Sequence, residues 1–86
     1  MTETLSLMKV EIVVFATLRR YMPDLALGET KMIDVSPGAL IADVREMLGI
    51  PAEQVKIILR NNRHVEADEI VMEGDRIAFI PAVGGG

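Results

Sequence analysis

The residue types that could do chemistry are few, and they gather at one end of this sequence. The chain holds no cysteine, so it offers no disulfide, no thiolate metal site and no cysteine nucleophile. Its single histidine, His64, is expected to be neither base nor ligand by itself. The acidic group Glu66, Asp68, Glu69, Glu73 and Asp75 lacks the spacing of a calcium loop and is expected to be a solvated acidic surface. What remains is the stretch Val83-Gly84-Gly85-Gly86, which presents the carboxylate of Gly86 on a backbone with almost no side chains. Glycine loses much entropy when fixed, so this tail is expected to stay mobile and not to pack. From Pro81 to Gly86 an extended chain reaches about 20 Å at ~3.3 Å per residue. Such a tail suits delivery of a carboxylate through a narrow channel into an active site elsewhere. The plainer alternative is a terminus that frays and does nothing.

The elements that must position this tail follow from periodicity. Arg76 to Ile80 is β-branched and aromatic between Gly74-Asp75 and Pro81, which predicts a strand. Pro81 has no N–H to donate, so regular pairing should stop there. Ile77 and Phe79 are expected to face a core, leaving Ala78 and Ile80 outside. At the other end, Lys9 to Ala16 alternates: Val10, Ile12, Val14 and Ala16 share one face, and Lys9, Glu11, Val13 and Phe15 the other. Apolar Val13 and Phe15 on the second face imply either partner contacts or a strand covered on both sides. Residues 1–7 lack a clear period and are expected to be a disordered extension before a possible natural start at Met8.

Between these strands, Arg19 to Met22 suits a short helical turn broken at Pro23-Asp24, with Leu25 and Leu27 tucked under the sheet. Glu29 to Val35 predicts a second strand. Ser36 is expected to cap a helix with Pro37 in its first turn. The apolar stripe Leu40, Ile41, Val44, Met47 and Leu48 then follows, and Gly49 and Pro51 end it. Val55 to Arg60 predicts a third strand, with Val55, Ile57 and Leu59 on one side and Lys56, Ile58 and Arg60 on the other. Asn61-Asn62 is a turn signal because Asn tolerates left-handed backbone. His64 to Ala67 is expected to form a short strand, and Asp68 to Met72 a helical turn burying Ile70, Val71 and Met72. One amphipathic helix on one sheet makes a two-layer α+β domain.

At 86 residues with half of them hydrophobic, the chain fits one small domain with a single core. Only Phe15, Tyr21 and Phe79 are aromatic, so that core is aliphatic. A formal net charge of −4 argues against a general nucleic-acid binder. No apolar run is long enough to span a bilayer, and no secretory signal is visible, which makes the cytoplasm the default location.

The order β-β-α-β-β-β with a glycine end resembles the ubiquitin-like β-grasp sulfur carriers, the family of MoaD (the small subunit of molybdopterin synthase) and ThiS (the thiazole sulfur carrier). The resemblance spans roughly Met8 to Gly86. It rests on Val14-Phe15-Ala16-Thr17-Leu18-Arg19, on Gly74-Asp75-Arg76-Ile77-Ala78-Phe79-Ile80-Pro81, and on Gly85-Gly86. The first two stretches look more like the molybdopterin-synthase subunit; Val83-Gly84-Gly85-Gly86 looks at least as much like the thiazole carrier. Asn62-Arg63 stands where the family often has an Asn-Gly turn.

The resemblance implies a mixed sheet of four to five strands on one main helix, with a β-grasp domain over 8–81 and a flexible tail over 82–86. It also implies a carrier without catalytic side chains and with no cofactor of its own. A ubiquitin-activating-type adenylating enzyme (MoeB- or ThiF-like) would use ATP to convert the Gly86 carboxylate to an acyl-adenylate. A sulfur donor would displace AMP to leave a thiocarboxylate. A synthase, either a MoaE-like large subunit or a thiazole synthase, would accept the sulfur, with molybdopterin the first choice of product and thiazole the second. In such carriers the outer sheet face and the tail dock the partners. The expected partner surface is therefore Val13, Phe15, Ile58, Arg60, Ala78, Ile80, Pro81 and Val83, leading to Gly84, Gly85 and Gly86, with Lys56 and Arg76 at its rim. A ubiquitin-like modifier that joins Gly86 to lysines, and a plain β-grasp binding module, remain as alternatives.

Overall fold

The computed structural model describes residues 7–26 and 28–82. The expectations for residues 1–6, for Leu27 and for Val83, Gly84, Gly85 and Gly86 lie outside the described residues. Five strands form one mixed sheet: β1 (Met8–Val14), β2 (Lys31–Val35), β3 (Ile57–Arg60), β4 (Arg63–Val65) and β5 (Arg76–Ile80). Their spatial order is β2-β1-β5-β3-β4. The two terminal strands, β1 and β5, run parallel at the centre, and every other neighbouring pair is antiparallel. One α-helix, α1 (Ile41–Met47), covers one face. This is the β-grasp arrangement that the resemblance implied.

The periodicity explains the layer. Val10, Ile12 and Val14 of β1, Val35 of β2, and Ile77 and Phe79 of β5 join Ile41 and Val44 of α1, with Leu18, Ile50 and Val71, in one buried cluster. The short 3₁₀ segment Ala16–Tyr21 supplies Leu18 from the turn after β1. Ala16 enters it with φ 52°, left-handed backbone that a residue with a Cβ adopts at a cost.

Helix α1 starts later than Ser36 suggests. Ser36-Pro37-Gly38 instead makes a turn: the Ala39 N–H donates to the Ser36 carbonyl at 3.1 Å, and Gly38 takes φ 88°. The orphan donors of the helix N-terminus are met from outside. Ile41 N donates to the Glu69 carbonyl (2.9 Å) and Ala42 N to the Ala67 carbonyl (2.8 Å), while the helix's own Asp43 carboxylate accepts from Leu40 N (2.9 Å). This use of the 66–71 backbone also explains a second correction. Asp68 to Met72 forms no helical turn: Asp68 and Glu69 complete a turn closed by the Glu69 N–H on the Glu66 carbonyl, and Ile70 bridges to Leu40; only Val71 is buried, while Ile70 and Met72 are exposed. Met47, placed in the apolar stripe by its spacing, is 59% exposed at the last turn. Gly49 ends the helix with φ 78°.

Asn61 and Asn62 both take positive φ, 51° and 71°, the tight turn expected between β3 and β4. Among the described residues no helix is long and apolar enough to cross a membrane.

Candidate partner-docking face and tail exit

Residues opposite one another in a sheet share a face, so the strand register decides which side chains stand outside, away from α1. Val13 pairs with Ala78, Ala78 with Leu59, and Ile80 with Ile57. These five residues therefore form an apolar row across β1, β5 and β3 on the open face. Phe15 continues it beyond β1; its N–H donates to the Phe79 carbonyl at 3.2 Å and its side chain is 45% exposed. Val13 and Ala78 are small residues on the central strand pair and are largely buried, whereas Ile57 is exposed. Contiguous apolar surface of this kind marks interaction sites.

The rim is charged and polar. Glu11 pairs with Arg76 on one side and Met32 on the other, and His64 lies opposite Leu59. At the far edge Lys9 meets Asp34 at 2.6 Å. The Asp34 carboxylate, by hydrogen bond and charge, holds the exposed Lys9 ammonium above its ordinary pKa.

Ile58 and Arg60 do not belong to this face. Ile58 lies opposite Phe79, faces the helix and is 8% exposed within the core cluster. Arg60 lies opposite Ile77 on the same inner side. There its Nε stands 3.1 Å from Asp75 Oδ2, Nη1 stands 3.3 Å from Glu69 Oε1, and Nη2 donates to the Ile70 carbonyl. The sequence hides this choice because Ile57-Ile58-Leu59 is apolar at three successive positions, so alternation alone cannot say which parity faces in.

Asp75 departs from its expected place on a solvated acidic surface. It is 6% exposed, and its carboxylate accepts from the Met72 N–H (2.8 Å) and the Asn61 side-chain amide (3.2 Å). Asn61 in turn accepts from the Arg76 N–H at 3.0 Å. Together these bonds tie the β3–β4 turn to the start of β5. Among the described residues no group of three or more acidic, histidine or cysteine side chains is placed to hold a metal ion.

Strand β5 delivers the chain to the tail. Its last ladder bond runs from the Lys56 N–H to the Ile80 carbonyl at 2.8 Å, so pairing does stop at Pro81. Pro81 is buried and Ala82 exposed. The apolar row thus ends, at Ile80 and Ile57, where the chain leaves the sheet. Val83 and the three glycines lie beyond the described residues. Sequence reasoning missed Ile57, Leu59 and Met32 on the outer face; all three were apolar, and only the pairing register assigns them.

A five-stranded mixed sheet gripping one helix, with an apolar outer face that runs into a C-terminal exit, defines a ubiquitin-like β-grasp protein. The ThiS family profile matches residues 12–86. The chain belongs to the ThiS family, whose ThiS- and MoaD-like members are small carrier proteins that generally work with adenylating enzymes and synthase subunits.

Solved structures agree in fold. A putative molybdopterin converting factor subunit 1 from Pyrococcus furiosus is 23% identical, with TM-score 0.68, covering 88% of this chain and 99% of its own. The Haloferax volcanii protein HVO 2177 is 22% identical, with TM-score 0.75 and coverage of 99% and 92%. SAMP1 from Haloferax volcanii is 22% identical, with TM-score 0.68 and coverage of 91% and 99%. No curated protein matches this sequence.

Proposed function

We propose that this protein is a sulfur carrier whose Gly86 carboxylate is activated by a partner enzyme. The observation that carries this reading is the continuity of the outer apolar row, through Ile80 and Ile57, with the exit of a tail ending in Gly84-Gly85-Gly86. A partner seated on the row would hold the domain while the tail threads its active site, and glycine leaves the backbone narrow enough to enter.

The chemistry needs the partner's ATP. A carboxylate resists attack because it is already an anion. Its oxygen attacks the α-phosphorus of ATP, pyrophosphate leaves, and an acyl-adenylate forms. Sulfur delivered as hydrosulfide then attacks the acyl carbon. The C–O bond breaks, AMP leaves with its electron pair, and the carbon retains sulfur as a thiocarboxylate. No side chain of this chain acts as acid, base or nucleophile in that sequence, and the chain holds no cofactor for it.

The destination we favour is molybdopterin, on the Phe15-Ala16-Thr17-Leu18-Arg19 and Phe79-Ile80-Pro81 stretches and the fold shared with the Pyrococcus furiosus converting-factor subunit. Its partners are then a MoeB-like adenylating enzyme and a MoaE-like synthase subunit, in the cytoplasm. The ThiS family match favours a second reading, sulfur delivery to a thiazole synthase. The likeness to a small archaeal modifier protein favours a third, conjugation of Gly86 to lysines.

Pyrophosphate exchange into ATP by the adenylating enzyme tests activation. Exchange should depend on this protein and should vanish when one residue is added after Gly86. Exchange that survives the added residue would exclude Gly86 as the activated group.

A further inference from the structure

Glu11 and Arg76 are ladder partners across the central strands β1 and β5 and share the outer face, yet no ion pair joins them among the described residues. The Glu11 carboxylate turns aside to accept from the Thr30 hydroxyl at 2.6 Å. Arg76 is exposed and meets no carboxylate among the described residues. An anion and an unpaired cation therefore stand next to each other at one end of the apolar row.

The same ladder continues with Val13 beside Ala78. Phe15 lies two residues further on, where its N–H meets the Phe79 carbonyl, level with Ile80. Ladder partners stand at one height along the strands. A twofold axis running along the strands, between β1 and β5, would lay β1 of one copy over β5 of a second without changing that height. Glu11 then faces Arg76 of the second copy and Arg76 faces its Glu11. Val13 and Ala78 meet each other's counterparts, and Phe15 meets Ile80. Each contact is opposite in charge or apolar on both sides. The small side chains Val13 and Ala78 sit at the middle, which suits two aligned sheets packed at the usual spacing of about 10 Å.

We propose that the outer face docks a second copy of this chain about this axis, as a symmetric sheet-on-sheet dimer. Such an interface is isologous, so one patch supplies both halves of every contact. The two Glu11–Arg76 contacts lie at the rim, where ion pairs add little affinity and mainly fix orientation. The apolar contacts come from a few residues of one sheet face, so the dimer is small and reversible. It covers the surface on which the carrier reading seats the activating enzyme, and the copies separate before that enzyme docks. The dimer itself does not rest on the carrier reading.

Sedimentation equilibrium of the 86-residue chain, with no other protein present, tests this. The average mass should rise from one chain toward two across roughly 10 µM to 1 mM, the span of weak complexes. Arg76→Glu and Glu11→Arg each set two like charges against each other across the axis, and each should weaken association about tenfold or more. An equimolar mixture of the two variants restores opposite charges at both contacts and should associate at least as well as the unchanged chain. Amide dispersion in NMR checks that each variant is folded. If Glu11→Arg is not, Glu11→Gln keeps an acceptor for the Thr30 hydroxyl and should weaken association severalfold. A chain that stays single throughout would overturn the proposal and leave the face to a different protein. So would variants that associate like the unchanged chain, or a mixture no better than its folded components, since either result puts the contact elsewhere.

Discussion

Arg60 and Asp75 meet on the inner side of the sheet, Nε to Oδ2 at 3.1 Å, and close the β3–β4 turn onto β5. Asp75 is the more buried partner, and it also holds the Met72 N–H and the Asn61 amide. Asp75→Ala leaves those donors without an acceptor and removes the carboxylate facing Nε of a guanidinium that is mostly covered and keeps only Glu69 and the Ile70 carbonyl. The expected loss is about 2 kcal/mol, the scale for an unsatisfied buried polar group with a partner that can relax toward water. Urea denaturation reads it as a lower midpoint with an unchanged slope. Arg60→Met, which keeps much of the side-chain volume, should cost less.

The register of β3 makes a paired prediction. Ile58 faces Phe79 in the core while its neighbour Ile57 faces outward. Ile58→Ala should destabilise by about 2–4 kcal/mol, the range for a large-to-small change in a packed interior. Ile57→Ala should cost under about 1 kcal/mol, as surface substitutions usually do. The reverse order of the two melting temperatures would mean that the strand is paired one residue out of register.

That pair also shows where the sequence stops being readable. The strands β1 and β5, the helix stripe at Ile41 and Val44, the Asn61-Asn62 turn and the stop at Pro81 all carry local signals: alternation, spacing, left-handed tolerance, a missing N–H. The parity of Ile57-Ile58-Leu59 does not, because both faces are apolar and only pairing with Phe79 breaks the tie. Ser36 misleads for a related reason. It has the chemistry of a helix cap, but the backbone of 66–71 supplies acceptors to the helix donors from a distance in sequence that no local pattern reveals. Asp75 looked like one more surface acid because its burial depends on Arg60 and Asn61 arriving from another strand and turn.

The docking face yields a functional prediction. Ile57→Asp and Leu59→Asp place a charge in the apolar row without touching the core. Binding of the adenylating partner should weaken about tenfold or more for a residue central to the interface. The fold should be retained, as judged by amide dispersion in NMR. Unchanged affinity in both variants would move the docking site off this face.

At the sheet edge, Asp34 raises the Lys9 pKa above 10.5, its value in an unfolded chain. The native state then holds this proton more tightly than the unfolded state. The pair's contribution is fully present below pH 10.5 and is lost as pH rises through the higher folded value. Lys9 is fully exposed, so the effect is small and screened by salt. Lys9→Met should flatten the decline of melting temperature with pH in the alkaline range and leave the curve at pH 7 nearly unchanged.

The central claim is that sulfur is loaded on Gly86. Intact-mass spectrometry of the untagged protein, after incubation with the adenylating partner, ATP and a hydrosulfide source, tests it most directly. The account predicts a species heavier by one oxygen-to-sulfur exchange, mapped by fragmentation to Gly86. Only the plain carboxylate, with the partner and ATP demonstrably active on another carrier, would contradict it.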